Sequence, residues 1–229
     1  MKSSKAQHTL ESMSQAVWYN KWTLQKFEQF LHGEILEVGC GIGNFTKTLA
    51  QYGNVWAIDI EKEYIIQTKQ SANGKVKAGF GDIEKGKYFF GSQKFDIIIS
   101  LNVLEHIQND MTALKNMYDL LKDGGKLILL VPAHNFLYGE IDRSIGHFRR
   151  YEKEELIKML ESLKFKINIS RMINFIGALG WLIAGKIFQN KSVKVINIKI
   201  FNFFAPFILR FENLIKPSFG ISILIVAEK

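Results

Sequence analysis

The fold of this chain is decided by the stretch EILEVGCGIGNF, residues 34–45. Its first five residues suit a short strand, and the glycines that follow allow a tight turn and a close approach of the backbone to a ligand. A helix is predicted directly afterwards, over Thr46–Gln51, and the N-terminal end of a helix carries a partial positive charge. A strand, a glycine-rich turn and a helix in this order predict a ligand site at the carboxyl end of the strand.

Outward from this stretch, apolar runs alternate with helical segments. Strands are predicted over 54–58, 75–79, 95–100, 126–131, 165–172 and 221–227, and helices over 61–71, 109–121 and 152–162. The runs FDIIIS and KLILLV are almost continuously apolar, which is typical of parallel strands that are buried on both faces. The alternation predicts a mostly parallel sheet with helices on both faces and with its ligands at the carboxyl edge.

The 229 residues suit a single domain over 1–229. Its core is predicted over 34–172 and 220–229, after a helix over 9–31 and around an apolar and basic insertion over 174–215. Because Cys40 is the only cysteine, the chain has no internal disulfide and no cysteine-rich zinc site. No signal peptide and no apolar run of about 18 residues is apparent, so a cytoplasmic location is expected.

The net charge of +8 allows several interpretations. It fits a solvated, lysine-rich surface, and it equally fits attraction to an anionic small molecule, to the inner face of a membrane or to nucleic acid. The insertion over 174–215 likewise has four interpretations. It can be a peripheral membrane contact, an apolar wall for a lipid-like ligand, a subdomain core or a dimer interface.

The glycine stretch resembles the first motif of class I S-adenosylmethionine (SAM) dependent methyltransferases, E/D-x-G-x-G-x-G. Glu37, Gly39, Gly41 and Gly43 occupy the motif positions, whereas position 44 is Asn where an NAD-binding motif needs Gly. The resemblance implies a Rossmann-like α/β fold with a seven-stranded, mostly parallel sheet, an N-terminal lid helix and a helical insertion before the last strand. It also implies SAM as the cofactor and S-adenosylhomocysteine as its product.

The resemblance carries cofactor roles to individual residues. Glu37 is expected to contact the methionine part of SAM, Asp59 the ribose hydroxyls, and Asp82 and Ile83 the adenine. A carboxylate suits a diol because it accepts two hydrogen bonds at once, although Asp59 can equally cap the next helix and Asp82 can close a turn. The predicted cofactor residues are Glu37, Gly39, Cys40, Gly41, Gly43, Asp59, Ile60, Asp82, Ile83, Leu101 and Asn102.

Two later segments point to the methyl acceptor. The segment SLNVLEHI, residues 100–107, is similar to the "LEH" segment of many small-molecule methyltransferases. The loop PAHNFLYGEIDRSIGHFRRY, residues 132–151, resembles that of a bacterial subgroup with a GHxRRY motif, in which it borders the acceptor pocket. The predicted catalytic residues are His106, His134, Tyr138 and His147, and the predicted acceptor-binding residues are Trp18, Tyr19, Trp22, Arg149, Arg150 and Tyr151.

Several of these residues have a structural alternative. Arg149 and Arg150 can clamp an anionic group or form ion pairs with Asp142 or Glu154. Asp142 and His147 can form an oriented base or can simply hold the loop. The aromatic residues of the N-terminal helix can pack in the core.

The predicted function is methyl transfer from SAM to a hydroxyl or amine of a small molecule, such as a sugar, an isoprenoid or a lipid-linked compound. A nucleic-acid methyltransferase is a second hypothesis, but the N/D-P-P-Y/F segment of DNA-adenine enzymes is missing. A non-catalytic SAM-binding protein is a third. The protein is expected to be a monomer or a homodimer. No metal is expected, since the spacing of His106, His134 and His147 matches no ligand signature.

Overall fold

The structure is a computed structural model that describes residues 16–72, 76–181, 212 and 217–229. Its α-helices are α1 (Val17–Gln25), α2 (Thr46–Leu49), α3 (Lys62–Ser71), α4 (Asp110–Leu120), α5 (Glu140–Ile145), α6 (Lys153–Ser162) and α7 (Phe175–Trp181). Short 3-10 turns lie at Glu28–Phe30, Leu104–His106 and Asn135–Leu137.

The strands form one mixed sheet. They are β1 (Glu34–Val38), β2 (Asn54–Asp59), β3 (Val76–Asp82), β4 (Lys87–Tyr88), β5 (Phe95–Leu101), β6 (Leu121–Pro132), β7 (Lys166–Ile173) and β8 (Ser222–Glu228). Their order across the sheet is β4-β3-β2-β1-β5-β6-β8-β7. The five strands from β3 to β6 in this order are parallel, whereas β8 runs antiparallel to both β6 and β7.

The predicted Rossmann-like α/β class is confirmed, with one difference in strand number. The described sheet has eight strands instead of seven, because the two-residue strand β4 pairs with the end of β3. A two-residue strand has no apolar periodicity that the sequence can reveal.

Apolar side chains alternate between the two faces of the central strands. On one face, Ile97 and Ile99 of β5 pack in a core with Trp22 and Phe27 of the N-terminal segment. On the other face, Ile98 packs in a core that includes residues of α4 and α6. Each large aliphatic side chain that becomes fully buried contributes about 1.5–3 kcal/mol, so both layers hold the helices against the sheet.

The strand order reverses next to β1. The chain proceeds outward from β1 through β2 and β3, then returns to place β5 on the other side of β1. Connections therefore leave the carboxyl ends of β1 and β5 in opposite directions, which opens a crevice at that edge.

The predicted N-terminal helix and insertion are described only in part. Within the predicted helix over 9–31, α1 ends at Gln25, and residues 1–15 lie outside the described residues. Within the predicted insertion over 174–215, the structure describes α7 and Glu212, whose carboxylate accepts the N–H groups of Asn174 (2.5 Å) and Phe175 (3.1 Å). None of the described helices has the length and apolar character needed to cross a bilayer.

Candidate active site

The glycine turn after β1 is fixed by hydrogen bonds to the end of β2. The N–H groups of Gly39 and Cys40 donate to the carbonyl oxygen of Ile58 over 2.8 and 3.0 Å. The N–H of Gly41 donates to the Asp59 carboxylate over 2.9 Å. Gly39 has a φ of 71°, in the left-handed region that glycine adopts without strain. The turn therefore presents its backbone at the crevice in one defined conformation.

Glu37 lies beneath this turn and is almost completely buried. The hydroxyl of Thr46 donates to its carboxylate over 2.5 Å. Burial raises the pKa of Glu37 to about 8, and the nearby Asp59 carboxylate adds to the rise. Burial also raises the pKa of the Cys40 thiol, which keeps that side chain uncharged. A buried carboxyl at this edge is suited to a cationic ligand group, which would compensate its charge.

Asp59 connects β2 to the glycine turn. One carboxylate oxygen accepts the N–H of Gly41 at 2.9 Å and the other accepts the N–H of Glu61 at 3.0 Å. Burial raises the pKa of Asp59, and these backbone donors counteract part of the rise. Each oxygen keeps a lone pair for a further donor, so the structural role and the predicted ribose contact are compatible.

The ends of β3 and β5 bring the other predicted cofactor residues to the same edge. Asp82 accepts the N–H of Lys85 at 3.0 Å and forms an ion pair with its ammonium group, also at 3.0 Å. Burial tends to raise the pKa of Asp82, but the Lys85 groups outweigh it and the net shift is downward. Ile83 is buried, whereas Ile60 after β2 is 59% exposed and offers an apolar surface.

Asn102, directly after β5, has an unusual backbone conformation. Its φ is 55°, and its N–H donates to the carbonyl of Leu130 over 2.8 Å. Leu101 before it is half-buried, and Val103 after it packs against the backbone of Gly39. The turn after β5 is thereby held against the glycine turn after β1.

The loop over 132–151 is organised around Asp142, which is fully buried. Its carboxylate accepts the Nε–H of Arg150 and the N–H of Gly139, each at 3.0 Å, and lies 2.8 Å from Nδ1 of His147. Burial tends to raise the pKa of Asp142, but His147 and Arg150 lower it overall. Arg150 is only 3% exposed and also donates to the carbonyl of Ala133 over 3.1 Å. This geometry favours the structural ion pair over an acceptor clamp for Arg150.

Asp110, at the start of α4, ties the end of the loop to the core. Its carboxylate accepts a guanidinium N–H of Arg149 at 2.6 Å and the hydroxyl of Tyr151 at 3.1 Å. Tyr151 is buried, which raises the pKa of its hydroxyl, and the hydroxyl lies 3.2 Å from the carbonyl of Leu104. Arg149 also donates to the carbonyl of Gln108 over 2.7 Å, with about a third of its side chain exposed.

The four predicted catalytic residues divide into two places. The rings of His106 and His147 meet edge to face with centroids 4.7 Å apart, and the Tyr138 hydroxyl donates to the His147 carbonyl over 2.9 Å. Burial and the His147 ring lower the pKa of His106, although part of its ring stays open to solvent. His134 instead stacks on Phe219, with centroids 4.4 Å apart, and its Nδ1 lies 3.4 Å from the Glu152 carboxylate.

Comparison with known proteins finds a matching family for the core of the chain. Residues 36–129 match the sequence profile of a family described as a methyltransferase domain. Over this stretch the chain is similar to that methyltransferase-domain family, as the glycine motif predicts. That stretch begins within β1 and ends within β6, so it contains all of the predicted cofactor residues.

The curated relatives share part of their length with this chain. The ubiquinone biosynthesis O-methyltransferase of Coxiella burnetii is 32% identical over 110 residues, which are 44% of this chain and 44% of that protein. The malonyl-[acyl-carrier protein] O-methyltransferase 1 of Ilyobacter polytropus is 30% identical over 134 residues, or 55% of this chain and 49% of that protein. The chain thus matches less than half of the length of both curated relatives.

Solved methyltransferases share the fold over most of the chain. The N-methyltransferase NodS of Bradyrhizobium japonicum WM9, solved with S-adenosylhomocysteine, superposes with a TM-score of 0.59 at 17% identity. That alignment covers 91% of this chain and 84% of NodS.

The aromatic residues of α1 differ in exposure. Tyr19 and Trp22 are buried in the core, with ring centroids 5.9 Å apart, whereas Trp18 is 48% exposed. Core packing therefore accounts for Tyr19 and Trp22, and an acceptor contact remains a prediction for Trp18.

Several residues of the site received no role from the sequence. Glu105 is fully buried beside His147, Asp110 anchors Arg149 and Tyr151, and Phe219 stacks on His134. The position of Glu105 within LEH is the one signal in the sequence that points to the site. Asp110 has the ordinary pattern of a helix start, and Phe219 precedes a strand, so neither stands out as a site residue.

Replacing Gly39 with Ala will destabilise the methyltransferase core by about 2 kcal/mol or more. The new Cβ would lie 2.4 Å from a methyl carbon of Val103, in a backbone with a φ of 71°. Urea unfolding measures the loss. Gly91→Ala is the matched control, since Gly91 has a φ of 62° but no atom within 4 Å of an added Cβ. Equal losses in the two variants would show that contact with Val103 is unimportant.

Proposed function

We propose that the protein transfers the methyl group of SAM to a hydroxyl or amine of a small molecule. The observation that carries the proposal is the Asp59 carboxylate, whose two oxygens accept the N–H groups of Gly41 and Glu61 and each keep a lone pair for a further donor. Glu37 beneath the turn supplies a buried carboxyl for the charged methionine part of the cofactor. S-Adenosylhomocysteine is then the product.

In this reaction, the acceptor lone pair displaces the sulfur of SAM in line with the S–CH₃ bond. The methyl group moves to the acceptor and the sulfonium becomes a neutral thioether, while a hydroxyl or ammonium acceptor releases a proton. The main contribution of the protein is alignment of the two reactants. The pair of His106 and His147 lies in the LEH turn and the facing loop, where either imidazole can accept that proton.

The acceptor is proposed to carry an apolar part, such as an isoprenoid or a lipid chain. Three aromatic rings lie at the edge where β6 and β7 end: Phe136 and Phe219 lie beside His134, and Phe175 contacts Phe219. Phe136 is 51% exposed and Phe175 is 37% exposed. Exposed aromatic groups at a ligand edge favour an apolar ligand or a peripheral contact with a membrane. The names of the two curated relatives refer to ubiquinone biosynthesis and to an acyl carrier protein, and both specify O-methylation.

Release of S-adenosylhomocysteine from purified protein and SAM tests this function. The acceptor panel contains phenols with and without a prenyl chain, lipid-linked sugars, amines, and duplex and single-stranded nucleic acid. Turnover with a prenylated or lipid-linked small molecule, lost in Asp59→Ala, is expected.

The other outcomes separate the competing functions. Turnover with nucleic acid alone, weakened by salt, would favour the nucleic-acid methyltransferase. SAM binding without turnover on any acceptor class would favour a non-catalytic SAM-binding protein.

A further inference from the structure

Glu105 is a buried carboxylate without a hydrogen-bond donor. Its residue exposure is 0%, and within the described part of the chain neither carboxylate oxygen has a hydrogen-bond partner. The nearest cationic candidate is Nε2 of His147, which lies 3.7 Å from Oε1 of Glu105 and is thus beyond hydrogen-bond distance. A carboxylate in such a place needs compensation from a cation or a proton.

Two imidazoles surround this carboxylate. Glu105, His106 and His147 each offer one ligand atom, and these three atoms lie within 4.8 Å of one another. Ligands on one zinc ion, with bonds of about 2 Å, lie about 3–4 Å apart. His106 is exposed at the surface of the cluster, so its ring has room to turn toward an ion.

His147 is already oriented as a metal ligand. Its Nδ1 lies 2.8 Å from the Asp142 carboxylate, and its Nε2 faces Glu105. Metal-bound imidazoles commonly donate their second N–H to a carboxylate, which fixes the tautomer and the direction of the ligand nitrogen. Asp142 is itself held by Arg150 and by the N–H of Gly139, so the orientation of the His147 ring is fixed.

The charges of the cluster also favour a cation. Glu105 and Asp142 bring two negative charges into the interior, and Arg150 brings one positive charge. With both imidazoles neutral, one negative charge remains uncompensated. A proton or a bound metal ion can supply the missing charge.

We propose that Glu105, His106 and His147 bind a divalent transition-metal ion at the carboxyl end of β5. Two imidazole nitrogens and one carboxylate oxygen suit Zn²⁺, Co²⁺ or Fe²⁺ better than Mg²⁺ or Ca²⁺, which prefer oxygen ligands. No metal is expected from the sequence, because the spacing of His106, His134 and His147 matches no ligand signature. Only the fold of the loop brings His147 to Glu105. Metal binding at this cluster does not depend on the proposed function. If both hold, His106 and His147 bind the ion instead of accepting the proton, and the ion lies just after the predicted cofactor residue Asn102, where it can bind an acceptor oxygen.

Zinc titration of the full chain tests the proposal. The protein is first freed of metal with a chelator, and Zn²⁺ is then added in competition with a chromogenic chelator. One ion per chain is expected, with an affinity that falls at least tenfold in His106→Gln and in Glu105→Gln. Co²⁺ is expected to give a visible absorption band that is lost in the same variants. His32→Gln, which changes an exposed histidine before β1, is the matched control and is expected to keep the wild-type affinity.

Either of two results would overturn the proposal. One is the absence of Zn²⁺ binding to folded wild-type protein, and the other is an unchanged Zn²⁺ affinity in His106→Gln. Since His106 is exposed, this variant decides the question even if Glu105→Gln fails to fold. Calorimetric titration of the same samples with S-adenosylhomocysteine distinguishes the metal proposal from the proposed function. Variants that lose the metal site are expected to keep their affinity for S-adenosylhomocysteine.

Discussion

Replacing Asp59 with Ala will lower the affinity for SAM and S-adenosylhomocysteine by about 100-fold or more. Two hydrogen bonds from the ribose hydroxyls to a carboxylate contribute about 1.5–3 kcal/mol each, and about 1.4 kcal/mol corresponds to a factor of ten. The variant also removes the acceptor of the Gly41 N–H, which loosens the glycine turn itself. Calorimetric titration with both ligands measures the change.

Two further variants separate the ribose contact from general effects. Asp59→Asn keeps one carbonyl oxygen as an acceptor, so its loss of affinity is expected to be smaller than that of Asp59→Ala. Glu63→Ala removes an exposed carboxylate from the first turn of α3 and is expected to bind like wild type. Affinity within threefold of wild type in Asp59→Ala would contradict the ribose contact. No binding of either ligand to folded wild type would contradict the cofactor assignment as a whole.

Replacing Arg150 with Met will lower the free energy of unfolding by about 3–5 kcal/mol, because the change leaves a buried carboxylate without its cationic partner. The side chains of Arg150 and Asp142 are 1% and 0% exposed, so water cannot take the place of the guanidinium. The carbonyl of Ala133 loses its donor in the same variant. Urea unfolding followed by circular dichroism measures the difference.

Arg143→Met is the matched control for this variant. Arg143 pairs with Glu140 at 2.6 Å in the same loop, but both side chains are more than half exposed. An exposed ion pair contributes less than about 1 kcal/mol, so the control is expected to unfold nearly like wild type. A loss below about 1 kcal/mol in Arg150→Met would show that Asp142 is satisfied by other groups.

The parts of the fold that the sequence predicts are those with a strong local pattern. The apolar run of β5 and the glycine turn after β1 each need their residue types for local reasons, namely burial on both faces and a left-handed backbone. The strand β4 has no such pattern, because two residues carry no periodicity. Its place at the edge of the sheet depends on contacts that β3 makes in three dimensions.

In the candidate site, the residues at strand ends are predictable from the sequence, but the contacts of the loop residues are not. The positions of Glu37 and Asp59 follow from their places at strand ends. By contrast, Arg149 and Arg150 are neighbours in one motif, yet Arg150 is buried on Asp142 while Arg149 reaches Asp110 near the surface. Which way a loop side chain turns depends on partners that are distant in sequence, and a single sequence does not specify them.

The order of strands at one side of the sheet has a consequence for synthesis on the ribosome. Strand β8 lies between β6 and β7, although both neighbours are translated before it. Among the described strands, β7 pairs only with β8, so its backbone groups stay without strand partners until residues 222–228 have emerged from the exit tunnel. The nascent chain therefore carries two unpaired strand edges during this interval, and these edges are open to chaperones or to other nascent chains.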